Sequence, residues 1–517
     1  MNQHSTAYCI LFTVFLFIAA GCQMATPPRL ATVTAQAAWT PTPTPKRLEL
    51  SGDGETAAPT PQTQSPPQAE PNPAISVWVN ETSPAHETAL QQMAEEFTAA
   101  YQIDVAFMFV SPQILPDLVN TAILSGTLPD IIIHPLEYTS GWVEKGILNG
   151  EAAETAVSQI GRQTFDPQAL ELVTVNGRIA ALPSDGTHQI ILYRSDWFAE
   201  ANLPIPDDYE SMIAAAEATN DPENMQAGFV IPTESNLVTT HHAFEQIALA
   251  NGCEMIDEKG EALLLEPACL DALNFYYSIV NQFSPIGVQT DTSTRNAYLD
   301  GRTGLIMASS AILPQIAGLD QTAPPTCREC GPNPAFLAEN SGIVTEIKGS
   351  GETAVPAGFS NITNLGITTA ADTETAVAFA NYWFNEGYDN WLAVSSERKV
   401  PLHLGTEAEP RQFIDAWGTT PLADGRSLND IFGAETVNQL REGIAAAPRW
   451  GINQGQGGLM TQLYEDLTFS VTLQEMLSGY FNPEQTILEA YIRVTDKIPN
   501  YQYYLEREEV EDIEEEG

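Results

Sequence analysis
The feature that most limits the fold is an alternation of short apolar strands with amphipathic helices. Ile75-Ser76-Val77-Trp78-Val79 is rich in β-branched and aromatic residues and reads as a buried strand. From His86 to Tyr101, Ala89, Leu90, Met93, Ala94 and Phe97 recur at helical spacing. Val105 to Val110 is a second strand. Leu115, Leu118, Val119, Ala122 and Ile123 mark a second helix, with Gly126 placed to cap it. Asp130-Ile131-Ile132-Ile133 is a third strand. Such a βαβαβ unit, joined by right-handed crossovers, makes a parallel sheet, so the fold class is α/β. Ligands of open α/β sheets sit beyond the carboxyl ends of the strands. That places Trp78, Asn80, Glu81, His134 and Glu137 at the mouth of a cleft.

Before this unit stand two segments of different character. The run from Ile10 to Ile18 is too short to span a bilayer and reads as the apolar part of a secretory signal. It ends in Ala19-Ala20-Gly21-Cys22, which resembles a bacterial lipoprotein signal. That resemblance implies acylation of Cys22 and anchoring on the outer face of the cell membrane, for which about two acyl chains are needed. Residues 23–74, centred on Thr40-Pro41-Thr42-Pro43-Thr44-Pro45, bury too little apolar surface to fold and read as a tether. At the other end, 501–517 reads as a solvated acidic tail.

Charge excludes some functions. A net charge of -46 repels nucleic acid and anionic lipid, and few cations are left to hold a polyanionic ligand. The chain has six cysteines, of which five besides Cys22 remain to be placed. Cys9 leaves with the signal, and Cys253 and Cys269 flank a stretch that reads as a hairpin turning at Asp257-Glu258-Lys259-Gly260. Pairing them would close it, for about 3 kcal/mol in the chain-entropy model. Cys327-Arg328-Glu329-Cys330 has the spacing of half a zinc site or a redox pair, but no second ligand pair stands nearby. A structural disulfide is expected there. No metal and no cofactor is expected.

Four stretches carry a wider resemblance. They are Val77-Trp78-Val79-Asn80; Ser125-Gly126-Thr127-Leu128-Pro129-Asp130 with Gly141 to Leu148; Asn176 to Pro183 with Leu192 to Phe198; and Tyr298 to Met307. Their order resembles the extracellular solute-binding proteins that feed sugar importers, of the maltose-binding type. The resemblance implies two α/β lobes that close over a small ligand, with hinge crossings between them. The crossings would lie near Pro183-Ser184-Asp185, Asp291 to Asn296, and Asn361 to Thr368. The first lobe would comprise 75–184 plus 297–360, and the second 185–296 plus 361–500.

The resemblance also marks ligand positions. It implies contacts from Trp78 and Asn80, from His134, Glu137 and Tyr138, and from Asp185. His242, Phe359, Arg449 and Trp450 follow, as rings or polar groups suited to a sugar's C–H faces and hydroxyls. Ser309 and Ser310, followed by Ala311, stand where many sugar binders carry Gly-Pro-Trp, so one stacking ring is missing. His241 beside His242 suggests metal, but no third ligand converges in sequence. The function expected is a membrane-anchored monomeric receptor that hands a neutral sugar to the permease of an ATP-binding-cassette importer. The alternatives are a binder of a cationic or peptide-like ligand and a surface lipoprotein without a transport role. Catalysis is not expected. The hydrolase elbow, the zinc-protease helix and the phosphate loop are all absent from the sequence. Asp130 and Glu137 as a glycosidase pair find no further support.

Overall fold
The computed structural model describes residues 74–501 apart from Ala423. They belong to the compact unit Glu70–Gly517. The signal, Cys22, the tether up to residue 73 and the acidic run from Glu506 lie outside the described residues.

The chain opens with β1 (Ala74–Val79), α1 (Pro84–Tyr101), β2 (Asp104–Phe109), α2 (Leu115–Ser125) and β3 (Ile131–Pro135). Local chemistry sets these boundaries. Ser83 caps α1 by accepting from the His86 N–H, and Pro84 stands in its first turn, where no amide is needed. His86, Leu90, Met93 and Phe97 bury one face of that helix. Gly126, at φ 69°, closes α2 in the left-handed conformation, where a side chain would be strained. The α3 helix (Thr139–Glu144) follows β3.

Beyond it come β4 (Leu182–Arg194), β5 (Ala227–Val230), α4 (Val238–Ala250), α5 (Asp291–Leu299), β6 (Thr303–Ser309) and β7 (Ala357–Ile367). Two further helices matter for the site, α6 (Tyr388–Ala393) and α7 (Gly457–Glu465).

The main path of the sheet runs β2-β1-β3-β7-β4-β6-β5. β1 pairs in parallel with β2 and β3. β7 then runs antiparallel to both β3 and β4, with a register shift between Thr363 and Asn364. β4 pairs antiparallel with β6, which pairs in parallel with β5. The long strands β4 and β7 therefore join the first three strands to the last two. Side chains alternate across the sheet and feed two cores. Val77, Val79, Ile131 and Ile133 enter one, and Ile132, Ile191 and Phe229 enter the other.

Three expectations change at this level. Residues 291–296, expected as a hinge crossing, begin α5, which Thr290 and Ser293 close with a capping box and which packs on β6. The segment 297–360, expected beside β1 to β3, supplies β6 and a short strand, Ser341–Val344, that pair with β4 and β5 instead. The hairpin between Cys253 and Cys269 reduces to one bridge, Ile256 to Ala262, because the Asp257 carboxylate binds the N–H groups of Lys259 and Glu261 and tightens the turn. Cys253 and Cys269 are paired at its base, and Cys327 is paired with Cys330. Among the described residues no helix is long and apolar enough to cross a membrane.

Candidate functional site
A cleft of about 450 Å³ opens where β4 and β7 cross between the two halves of the sheet. Several elements reach it by their ends. The residues after β1 bring Asn80 and Glu81, and the turn after β3 brings Glu137 and Tyr138. Asp185 and Thr187 come from β4, and Asn361 to Thr363 from β7. The start of α4 brings Asn236, Thr239 and His242. Asp291 begins α5, and Ser309 ends β6. Trp391 of α6, then Arg398 and Lys399, also line it, as do Tyr464 and Glu465 of α7.

Trp391 is held rigidly. Its indole N–H donates to Asp185 Oδ2 at 2.7 Å, and the Ser184 hydroxyl donates to the same oxygen at 2.7 Å. The Lys399 ammonium stands 3.6 Å from the Trp391 ring centroid and donates to the Trp391 and Val394 carbonyls. Burial pushes the Lys399 pKa down to about 7, against the opposing charge of Asp185. Burial also raises the Asp185 carboxyl, opposed by Lys399 and by the two hydrogen bonds. His86, 5.5 Å from the Trp391 ring, is driven down to about 3 by burial and then by the Lys399 charge.

A second buried cluster backs the cleft. Arg449 Nε lies 3.2 Å from Glu245 Oε1, and its guanidinium is 3.9 Å from Glu137 Oε2. The Tyr464 hydroxyl donates to Glu245 Oε2 at 2.6 Å, and His242 Nε2 is 3.6 Å from Glu137 Oε1. Burial alone would raise Glu137, yet contact with His242 and the Arg449 charge hold it below the usual carboxylate value. Burial, then His242 and Arg449, keep the His241 pKa low.

Of the residues singled out in the sequence, Asn80, Glu81, Glu137, Tyr138, Asp185, His242 and Ser309 line the cleft. Six do not. Trp78 lies on the face of β1 opposite Val77 and Val79 and packs into the second core. His134 is fully buried against Trp142, with its Nδ1 2.9 Å from the Pro135 carbonyl. Ser310 is buried in the turn after β6. Phe359 and Arg449 stack on each other behind the wall, at 4.4 Å. Trp450 is fully buried and donates to the Cys253 carbonyl. Sequence reasoning missed Asn236, Asn361, Asp291, Trp391, Arg398 and Lys399. For Arg398-Lys399 a signal existed, since adjacent cations stand out in a chain with 21 Lys and Arg against 67 Asp and Glu. Among the described residues no group of three His, Cys, Asp or Glu could hold a metal ion.

Residues 92–396, more than half of the 517-residue chain, match the family model of the bacterial extracellular solute-binding proteins. The chain belongs to this family. It is a family of binding proteins and not of enzymes. YcjN of Escherichia coli (strain K12), named as an ABC transporter periplasmic-binding protein, is 25% identical over 297 residues, 56% of this chain and 64% of that one. The maltotriose-binding protein of Pyrococcus abyssi is 24% identical over 235 residues, 45% of this chain and 48% of its own. The chain therefore spans less than two thirds of the length of these relatives. A sugar transporter protein from Arthrobacter chlorophenolicus A6, solved with bound laminaribiose, superposes with a TM-score of 0.66 at 16% identity, covering 83% of this chain and all of that one. That likeness shows a shared two-lobed α/β fold.

Proposed function
We propose that this family member is the solute receptor of an ATP-binding-cassette importer, and that its cleft takes a neutral sugar. The observation that carries the ligand class is that several of the charged groups lining the cleft face a partner. Glu81 faces Arg398 at 3.8 Å, and Glu137 faces His242 and Arg449. Asp185 accepts from Trp391 and Ser184, and Glu465 accepts from Lys145 and from the Trp142 indole. The lining also carries the amides of Asn80, Asn236 and Asn361 and the hydroxyls of Thr187, Thr239 and Ser309. Amides and hydroxyls suit the hydroxyls of a sugar. The maltotriose and laminaribiose of the two proteins named above support the same class.

A cationic ligand is the second reading, because the acids Asp117 and Asp291 also line the cleft. Titration of the full chain with maltotriose, laminaribiose, D-mannitol and spermidine, read by tryptophan fluorescence and calorimetry, separates the two. Saturable binding of a sugar or polyol is expected. Saturation by spermidine alone would refute the neutral class.

We assign β1 to β3 to one lobe and β5, β6, α4 and α5 to the other, with β4 and β7 shared. This revises the boundary drawn through 297–360. Closure of the lobes over ligand lowers the radius of gyration in solution scattering of the monomer. Acylated Cys22 holds the receptor at the outer face of the membrane. Replacing Cys22→Ser is expected to release the protein into the medium, and retention in the membrane fraction would contradict the anchor.

A further inference from the structure
β2 ends the sheet path, beside β1. All six residues from Asp104 to Phe109 pair in parallel with β1 without a break in register. Among the described residues no strand pairs with the other side of β2. An edge strand leaves a row of N–H and C=O groups without ladder partners, and folded proteins blunt such an edge with lysine, proline, a bulge or a cover. β2 has no lysine, no proline and no bulge. Its sequence, Asp-Val-Ala-Phe-Met-Phe, carries one charge, at the first residue. A chain with 67 Asp and Glu leaves this strand almost neutral.

Both faces of the strand are apolar at this edge. Val105, Phe107 and Phe109 pack against the first core yet stay half-buried, and the Phe107 and Phe109 rings lie side by side at 6.3 Å. On the other face Ala106 is exposed and Met108 is 39% exposed. The strand also complements itself. A two-fold axis perpendicular to the sheet at Phe107 sets β2 antiparallel to β2 of a second copy, and directly opposite residues of such a pair share a face. Phe107 then meets its own mate, Val105 meets Phe109, and the small Ala106 meets the long Met108. Asp104 falls opposite Val110, so the two aspartates stand about 20 Å apart, beyond the Debye length of about 8 Å. A basic segment of another protein would find only Asp104 along the strand to pair with.

We propose that β2 is a docking edge for a second copy of this chain, joining two molecules through one continuous sheet. None of its six residues lines the cleft, so each copy keeps its own site. The contact is small beside the roughly 1,200–2,000 Å² of a stable interface, and the net charge of -46 on each copy opposes it. The dimer is therefore weak, and it strengthens as salt screens the repulsion. Dilute protein stays monomeric, and copies crowded on a surface pair.

The test is sedimentation equilibrium of the full chain in about 0.5 M NaCl, where surface repulsion is largely screened. For a dissociation constant of about 100 µM, the dimer fraction is expected to rise from below about a tenth at 5 µM to above about half at 500 µM. Because Ala106 opposes Met108 of the second copy, Ala106→Lys with Met108→Lys sets lysine against lysine and should return the protein to monomer. Ala106→Lys with Met108→Glu sets lysine against glutamate and should recover at least about half of the lost dimer. Both positions are exposed in a single copy, and circular dichroism confirms folding. Amide hydrogen exchange of the wild type needs no variant, and exchange within 104–109 should slow as concentration rises. A monomer at every concentration overturns the proposal. So does a dimer that survives the paired lysines, one that the lysine–glutamate variant fails to regain, or exchange in β2 that ignores concentration.

Discussion
Replacing Arg449→Met would expose how much the buried charge cluster behind the cleft depends on one guanidinium. Arg449 is 2% exposed, Glu137 2% and Glu245 0%. Methionine keeps the aliphatic stem and removes the charge. Breaking a buried pair by deleting one partner costs about 3–5 kcal/mol, because the other charge stays buried. Two carboxylates share this guanidinium, but Tyr464 still donates to Glu245 and His242 still faces Glu137. The lower end, about 3 kcal/mol, is therefore expected. The assay is urea unfolding near pH 7.5 and near pH 5.5. In the wild type Glu137 is held below its ordinary value, so its contribution is present above the unfolded pKa and is lost only as pH falls through the folded one. Without Arg449 one of the charges that lower Glu137 is gone, and its folded pKa moves up toward what burial favours. The deficit therefore narrows as pH falls toward the carboxylate range. Replacing Glu137→Gln and Glu245→Gln as well removes all three charges and should recover most of the loss. A deficit no larger than a surface ion pair, about 1 kcal/mol or less, or one identical at both pH values, would refute the reasoning.

Other outcomes follow from single contacts. Trp391→Ala removes a buried ring packed against His86 and Trp383 together with its hydrogen bond to Asp185, and should cost about 3–5 kcal/mol of stability; a urea midpoint equal to that of the wild type would contradict this packing. Lys399, at about 7, lies below the ordinary lysine value, so between those values the unfolded chain binds a proton that the folded chain does not. Stability gains from this group as pH rises through that window, and Lys399→Met should flatten the gain in urea midpoints taken from pH 7 to 9.5. An unchanged slope would contradict burial as the cause. Replacing both Cys253 and Cys269 by Ala opens a loop with a sequence separation of 16 and should cost about 3 kcal/mol; a urea midpoint equal to that of the wild type would count against the bond.

The first five elements are legible because period and punctuation agree there. β1 alternates, α1 repeats at three and four residues, and Ser83, Pro84 and Gly126 mark the ends. β4 is not legible in the same way. Its stretch Ser184-Asp185-Gly186-Thr187-His188-Gln189 is polar and reads as a loop. It is extended because β7 pairs along one edge, while β6 and Val400–Pro401 pair on the other side. Partners from distant sequence decide that conformation, and local propensity does not. The opposite error occurs at Asp291 to Asn296, a polar run that resembles a crossing. Thr290 and Ser293 satisfy each other's backbone N–H groups and start a helix there.

The rings show why the site itself was only half legible. Trp78, Phe359, Trp391 and Trp450 are chemically similar candidates, and no local pattern separates them. Trp78 sits inside β1, where alternation assigns it to a core, while Asn80 and Glu81, just past the strand end, reach the cleft. Trp450 neighbours Arg449 and carries the same loop signal as a stacking residue, yet its N–H is used by the Cys253 carbonyl. Trp391 follows Tyr388 at helical spacing and looks like core. It lines the cleft because Asp185, 206 residues away, accepts a hydrogen bond from its indole N–H and Lys399 covers its ring. The carboxylates divide on the same ground. Glu137 and Asp185 are visible as acids near strand ends, but their neutralisation by Arg449, Lys399 and Trp391 exists only in the fold. Net charge alone therefore says little about the cleft, where Glu81, Glu137 and Glu465 each face a cation or a histidine within 4 Å.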